Sequence, residues 1–221
     1  MGHGISFDIA HTLAGFLVLV SFLMLYQTRM LALLHVLSLH AVVLALSVAW
    51  QAHIQDAPHL YITATLALGF KAILIPVALR RMMFQMGIHR EIETVGGVGL
   101  TMLAGMALVA LSLEVMLPVT AEADPVARED IALALSVVLI GLLMMVTRRN
   151  ALSQVVGFMS LENGIILAAT GARGMPLVVE ISVAFSVLVA LIVIGVFLFR
   201  IREQFDTIDV AALDRSRGGQ E

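Results

Sequence analysis

The sequence predicts an all-α, polytopic membrane protein with about seven transmembrane helices. Composition is the first observation behind this: of 221 residues, 60% are hydrophobic and 13% charged, and the mean hydropathy is +1.01. The second is block length. The apolar residues fall in continuous runs near the roughly 20 residues that cross a bilayer as a helix. The third is periodicity. The runs do not alternate with period two, as the strands of a transmembrane barrel would. Loops are short and leave little for a soluble domain.

Seven spans follow in order, at about 7–26, 30–50, 59–79, 95–117, 131–146, 151–170 and 177–199. The first has no Lys or Arg before Arg29, so it lacks the basic start of a signal peptide. Trp50 and Tyr26 fall at span ends, where an aromatic belt would place them. Pro76 lies inside the third span and should kink it. Pro58, Pro118, Pro125 and Pro176 fall in loops or at helix ends. Gly96, Gly97, Gly99 and Gly105 in the fourth span are expected to allow close helix approach. The fifth span is short, with Arg148 placed to snorkel from its end. A tight turn at Thr147–Asn150 leads to the sixth, and Gly171–Pro176 separates it from the seventh. The organisation read from this is a three-helix half (1–90), a connector helix (91–127), a second three-helix part (128–200) and a polar tail (201–221). Ser38-Leu39-His40 and Ser160-Leu161-Glu162 hint at a parallel 3+1+3 repeat. Ser112-Leu113-Glu114 shows that the tripeptide also arises outside such a repeat.

Ten of the thirteen Lys and Arg residues fall after spans one, three, five and seven. The positive-inside rule therefore places the N-terminus outside and the C-terminus in the cytoplasm. The acidic loop Glu122–Asp130 then faces outside. A net charge of −3 carries no nucleic-acid signal, and the absence of Cys excludes disulfides, thiolate metal sites and iron–sulfur ligation by this chain.

Ionisable residues inside apolar runs carry the functional signal. Each costs about 2.5–3.5 kcal/mol on insertion scales, so it faces protein or a watered path. Glu162 lies near the middle of the sixth span beside Asn163. It reads as a proton-relay carboxylate or as a protonated Glu joining two helices. Lys71 lies near the middle of the third span, about two and a half turns from Arg80, too deep to snorkel easily. It reads as a partner in proton transfer or as one half of a static pair. His40 is central in the second span and reads equally as a relay or as a buried hydrogen-bonding His. Glu114 and Glu180 lie near the outer ends of the fourth and seventh spans, as interfacial carboxylates or as the mouth of a polar path. These five are the proton-path candidates. Spans facing lipid alone would leave His40, Lys71 and Glu162 unsatisfied, so partner subunits are expected to complete their surroundings. Bis-His haem would need a second His at the depth of His40, and a retinal protein would want its Lys in the last span.

Several motifs carry a family resemblance. Arg148-Arg149-Asn150, Gly157, Glu162-Asn163, Ile194-Gly195 and Asp206-Thr-Ile-Asp209 make the last three spans resemble the three-helix 4L-type subunit of respiratory complex I and its relative in multisubunit Na+/H+ antiporters. The seven spans, the Lys-bearing third helix with Pro76 and Arg80-Arg81, and Ser160–Gly164 look more like component E of hydrogenase-4 and formate hydrogenlyase-type complexes. The pattern departs in two places. Aligned on Arg148–Asn150 and Gly157, the family's first carboxylate falls on Met159, one turn before Glu162, and its second falls within Leu188–Ile192, where nothing ionises. The resemblance implies a non-redox membrane-arm subunit of a membrane-bound [NiFe]-hydrogenase-like or complex I-like oxidoreductase in a bacterial or archaeal cytoplasmic membrane. It further implies no cofactor of its own, proton translocation through mid-membrane groups, and an antiporter-like subunit among its partners. The alternatives are a structural scaffold in the same kind of complex and a subunit of a multisubunit cation/proton antiporter.

Overall fold

The computed structural model describes residues 2–85, 94–119 and 125–171. The seventh span, Glu180 and the polar tail lie outside the described residues. Helix α1 covers Gly2–Tyr26 and α2 covers Met30–Ile54. The third span is built from α3 (Pro58–Leu66), a π-helical segment (Ala67–Leu74) and α4 (Ile75–Gln85). Then come α5 (Gly97–Val119), α6 (Pro125–Thr147) and α7 (Ala151–Gly171). Among the described residues, six helical stretches are long and apolar enough to cross a membrane. The chain is an all-α, multi-pass membrane protein.

Contacts at the helix ends set the directions. His11 of α1 meets Asp130 of α6 at one end, and Arg148, just past α6, meets Met24 and Leu25 of α1 at the other. These two helices therefore run parallel. Gln55, after α2, donates to the Thr170 carbonyl of α7 at 2.7 Å, and His40 meets Asn163 midway, so α2 and α7 run parallel. Helix α7 is the most enclosed and α5 the least.

Helices α6 and α7 approach closely because three glycines line their contact. A Cβ on Gly141 would lie 2.5 Å from the Leu161 nitrogen, and one on Gly157 would lie 2.9 Å from Met144 Cβ. Gly164 plays the same part against Val138 and Ala134. Gly157→Leu should therefore push the helices apart. Overpacking of this kind typically costs about 1–3 kcal/mol, so a matching loss of resistance to denaturation in detergent is expected. A wild-type unfolding curve would show the contact to be looser.

The structure alters four expectations. The fifth span is not short, because the helix begins at Pro125 and includes Arg128, Glu129 and Asp130. Those charges interrupt the apolar run without interrupting the backbone, so the second half of the expected acidic loop is helix. Trp50 stands a turn inside α2, which continues to Ile54. Pro76 acts through the preceding backbone: the turns before it widen to the π form, and the Ile75 N–H bonds the Phe70 carbonyl five residues back. Gly96 and Gly97 form the turn into α5 with φ of +81° and +79°, while close approach to α1 falls to Gly105, whose Cβ would strike the Phe22 ring at 2.9 Å.

Candidate functional site

The mid-span polar residues of four elements meet in one buried cluster. The widened turns of the third span hold Lys71 inward, with its side chain 4% exposed. Its Nζ lies 3.2 Å from Glu162 Oε1 of α7 and donates to Asn163 Oδ1 at 2.8 Å. The Asn163 Nδ2 donates to His40 Nδ1 at 2.8 Å. His40 Nε2 lies 2.9 Å from Ser21 Oγ of α1, which also donates to the Leu17 carbonyl at 2.9 Å. His40, Asn163 and Ser21 are all buried. Glu162, Lys71 and His40, three of the five candidates read from sequence, are thus one constellation. Within the described residues this chain supplies each of the three with a polar neighbour. Glu114 is not brought in: it is exposed on α5. Glu180 lies outside the described residues.

Two cluster members carried little sequence signal. Asn163 was visible only as the neighbour of Glu162, and Ser21 is one serine in an apolar helix. The tripeptides ending at His40 and Glu162 do deliver their last residues to the same cluster, from parallel helices.

Arg148-Arg149-Asn150 explains the anchoring of α7. Arg148 does not snorkel; it is 1% exposed, and Nη2 donates to the carbonyls of Leu25 at 2.7 Å and Met24 at 3.3 Å. The last carbonyls of a helix lack intrahelical donors and carry negative partial charge, so a guanidinium there both caps α1 and suits its dipole. Burial pulls the guanidinium below its ordinary range, but an Arg stays charged at neutral pH. Asn150 caps α7, its Oδ1 accepting the Leu152 N–H at 2.9 Å. Gln154 Nε2 donates back to the Arg148 carbonyl at 2.9 Å. Arg148→Met should leave the Leu25 carbonyl uncapped, at a cost of about 1–3 kcal/mol. The expected result is faster amide exchange in the last turn of α1 and a lower unfolding midpoint; unchanged exchange there would contradict the cap.

A second polar contact closes the opposite end. His11 Nδ1 lies 3.2 Å from Asp130 Oδ1, and Nε2 lies 3.5 Å from Glu129 Oε2. Between the ends, the hydroxyls of Ser112 and Ser136 meet, and Ser112 also donates to the Ala132 carbonyl at 3.1 Å, tying α5 to α6. Among the described residues no group of three His, Asp or Glu side chains could hold a metal ion.

The chemistry open to the central cluster is that of a buried acid and a buried amine in contact. A proton can sit on either group, and the pair changes its net charge when a proton arrives or leaves. Comparison with known proteins finds a similar chain but no described activity. No family model matches the sequence, and no solved structure matches it. Over 209 residues the chain is 32% identical to a protein of Mycobacterium tuberculosis described as "Uncharacterized protein Rv0085". The match covers 92% of this chain and 94% of that protein.

Proposed function

Starting from a chain that belongs to the family of the uncharacterized mycobacterial protein Rv0085, we propose a non-redox membrane-arm subunit of a hydrogenase-like or complex I-like oxidoreductase that moves protons through Lys71 and Glu162. The observation that carries this reading is the contact of Lys71 Nζ with Glu162 Oε1 at 3.2 Å, both side chains 4% exposed. Ion pairs buried to this degree are weak stabilising devices, because desolvation of two charges offsets much of their attraction. Mid-membrane ionisable groups are rare and costly, and by default they point to ion paths and proton relays. The π-helical turns that carry Lys71 add weight, since such segments concentrate at functional sites.

Helix α7 carries Glu162-Asn163 and Gly157, two of the motifs through which the last three spans resemble the 4L-type subunit. Redox chemistry in a partner would shift the charge of the pair and so drive proton movement. By the distribution of Lys and Arg, the Arg148 end faces the cytoplasm and the His11–Asp130 end faces outside. The test has two arms. Affinity purification of the tagged chain from its native membrane should bring an oxidoreductase arm and an antiporter-like subunit with it; a chain that purifies alone and transports ions alone overturns the subunit reading. In the second arm, Glu162→Gln should abolish coupled proton movement while the complex still assembles. A purely structural scaffold would keep coupling in that variant.

A further inference from the structure

We propose that Asn163 divides the buried cluster in two, confining proton exchange to Lys71 and Glu162 and holding His40 as a neutral Nε2–H imidazole that positions the amide. This deepens the proposed function and rests on it only for the statement that Lys71 and Glu162 exchange protons. The division itself follows from which atoms can donate.

Lys71 offers N–H donors, so the group facing it at 2.8 Å must be the amide oxygen, Oδ1. The amide nitrogen then faces His40, and Nδ2 carries only donors. His40 Nδ1, 2.8 Å away, must therefore accept and cannot bear a proton. An imidazole without a proton on Nδ1 carries it on Nε2 and is uncharged. That N–H points at Ser21 Oγ, 2.9 Å away, and the Ser21 hydroxyl is in turn spent on the Leu17 carbonyl. The bonds form a single directed series: Lys71 to Asn163, Asn163 to His40, His40 to Ser21, Ser21 to Leu17. It ends on a backbone carbonyl, from which no proton can pass further.

An amide is the wrong group to carry a proton along such a series. To pass one from Lys71 to His40 it would accept at oxygen and release from nitrogen, which leaves the high-energy imidic tautomer. A Lys71 that has lost its proton still has N–H bonds to donate to Oδ1. The amide therefore keeps its orientation through a protonation cycle. The charged groups facing His40 are Lys71, from the π-helical segment, and Glu162 beyond it, from α7; α1 contributes Ser21. With the amide interposed, charge at the pair reaches His40 as a field and not as a proton. His40 is then a positioning residue, and so is Ser21: by offering an acceptor at Nδ1 they turn Oδ1 toward Lys71.

The full chain, labelled with 15N-histidine and reconstituted in lipid bilayers, gives the test by solid-state NMR, with His40 assigned as the signals absent from His40→Gln. Wild type should show one pyrrole-type nitrogen at Nε2 and one pyridine-type nitrogen at Nδ1, unchanged across the range of about pH 5–8 where a free histidine titrates. Glu162→Gln should leave that pattern unchanged. Asn163→Asp removes the donor and should bring a proton onto Nδ1. A wild-type His40 that bears a proton on Nδ1, or that titrates in a way Glu162→Gln shifts, overturns the division. If Asn163→Asp does not accumulate, the comparison of wild type with Glu162→Gln still decides. Failure here leaves proton exchange at the pair standing, whereas wild-type coupling in Glu162→Gln with a fixed His40 would sink the proposed function and leave the division intact.

Discussion

Lys71→Met should destabilise the folded chain by about 3–5 kcal/mol, the cost of removing one partner from a buried ion pair. Glu162 is 3% exposed, its Oε1 lies 3.2 Å from Lys71 Nζ, and the carboxylate would lose that cation without gaining water. Asn163 Oδ1 would lose its Lys71 donor as well. Adding Glu162→Gln removes the carboxylate charge, and the double variant should recover part of the loss. Residues in direct contact show interaction energies of about 0.5–3 kcal/mol in such cycles, and a value in the upper half of that range is expected. Unfolding curves of the four proteins in detergent measure it. Strict additivity would show that the two side chains do not act as a pair.

The parts of this architecture that were legible in the sequence are those where burial is expensive. A Glu, a Lys or a His in the middle of an apolar run needs a reason, and that was enough to single out Glu162, Lys71 and His40 without knowing that they meet. The six described spans were legible for the same reason, because an apolar run of membrane length has few other fates. Asn163 and Ser21 are not among the proton-path candidates, since uncharged polar groups are common in membrane helices and reveal their importance only through a partner. Which partner they find depends on the rotational setting of α1, α2 and α7, and an almost uniformly apolar helix does not encode that setting in its own periodicity. A basic residue at a span end suits the interface and a helix C-terminus equally well, and for Arg148 only the nearness of α1 decides between them. The π-helical turns before Pro76 were out of reach too. A proline announces a disturbed helix, but whether the backbone bends or widens depends on what Lys71 has to reach.

The second large effect concerns Glu162 directly. Replacement by Gln keeps the volume and can still accept from Lys71 through its amide oxygen. What it loses is the ability to ionise. A structural acid should tolerate that exchange, because the contact with Lys71 at 3.2 Å can be remade by the amide. An acid that takes up and releases protons should not. Glu162→Asp should be intermediate, since it keeps the acid but shortens its reach toward a fixed Lys71. The deciding measurement is proton uptake into sealed membrane vesicles driven by the partner's redox reaction, normalised to assembled complex. In Glu162→Gln we expect uptake to be lost while assembly and redox turnover persist, with part of it restored in Glu162→Asp. Wild-type uptake in Glu162→Gln would contradict proton exchange at this residue and leave the Lys71–Glu162 pair as a structural clasp.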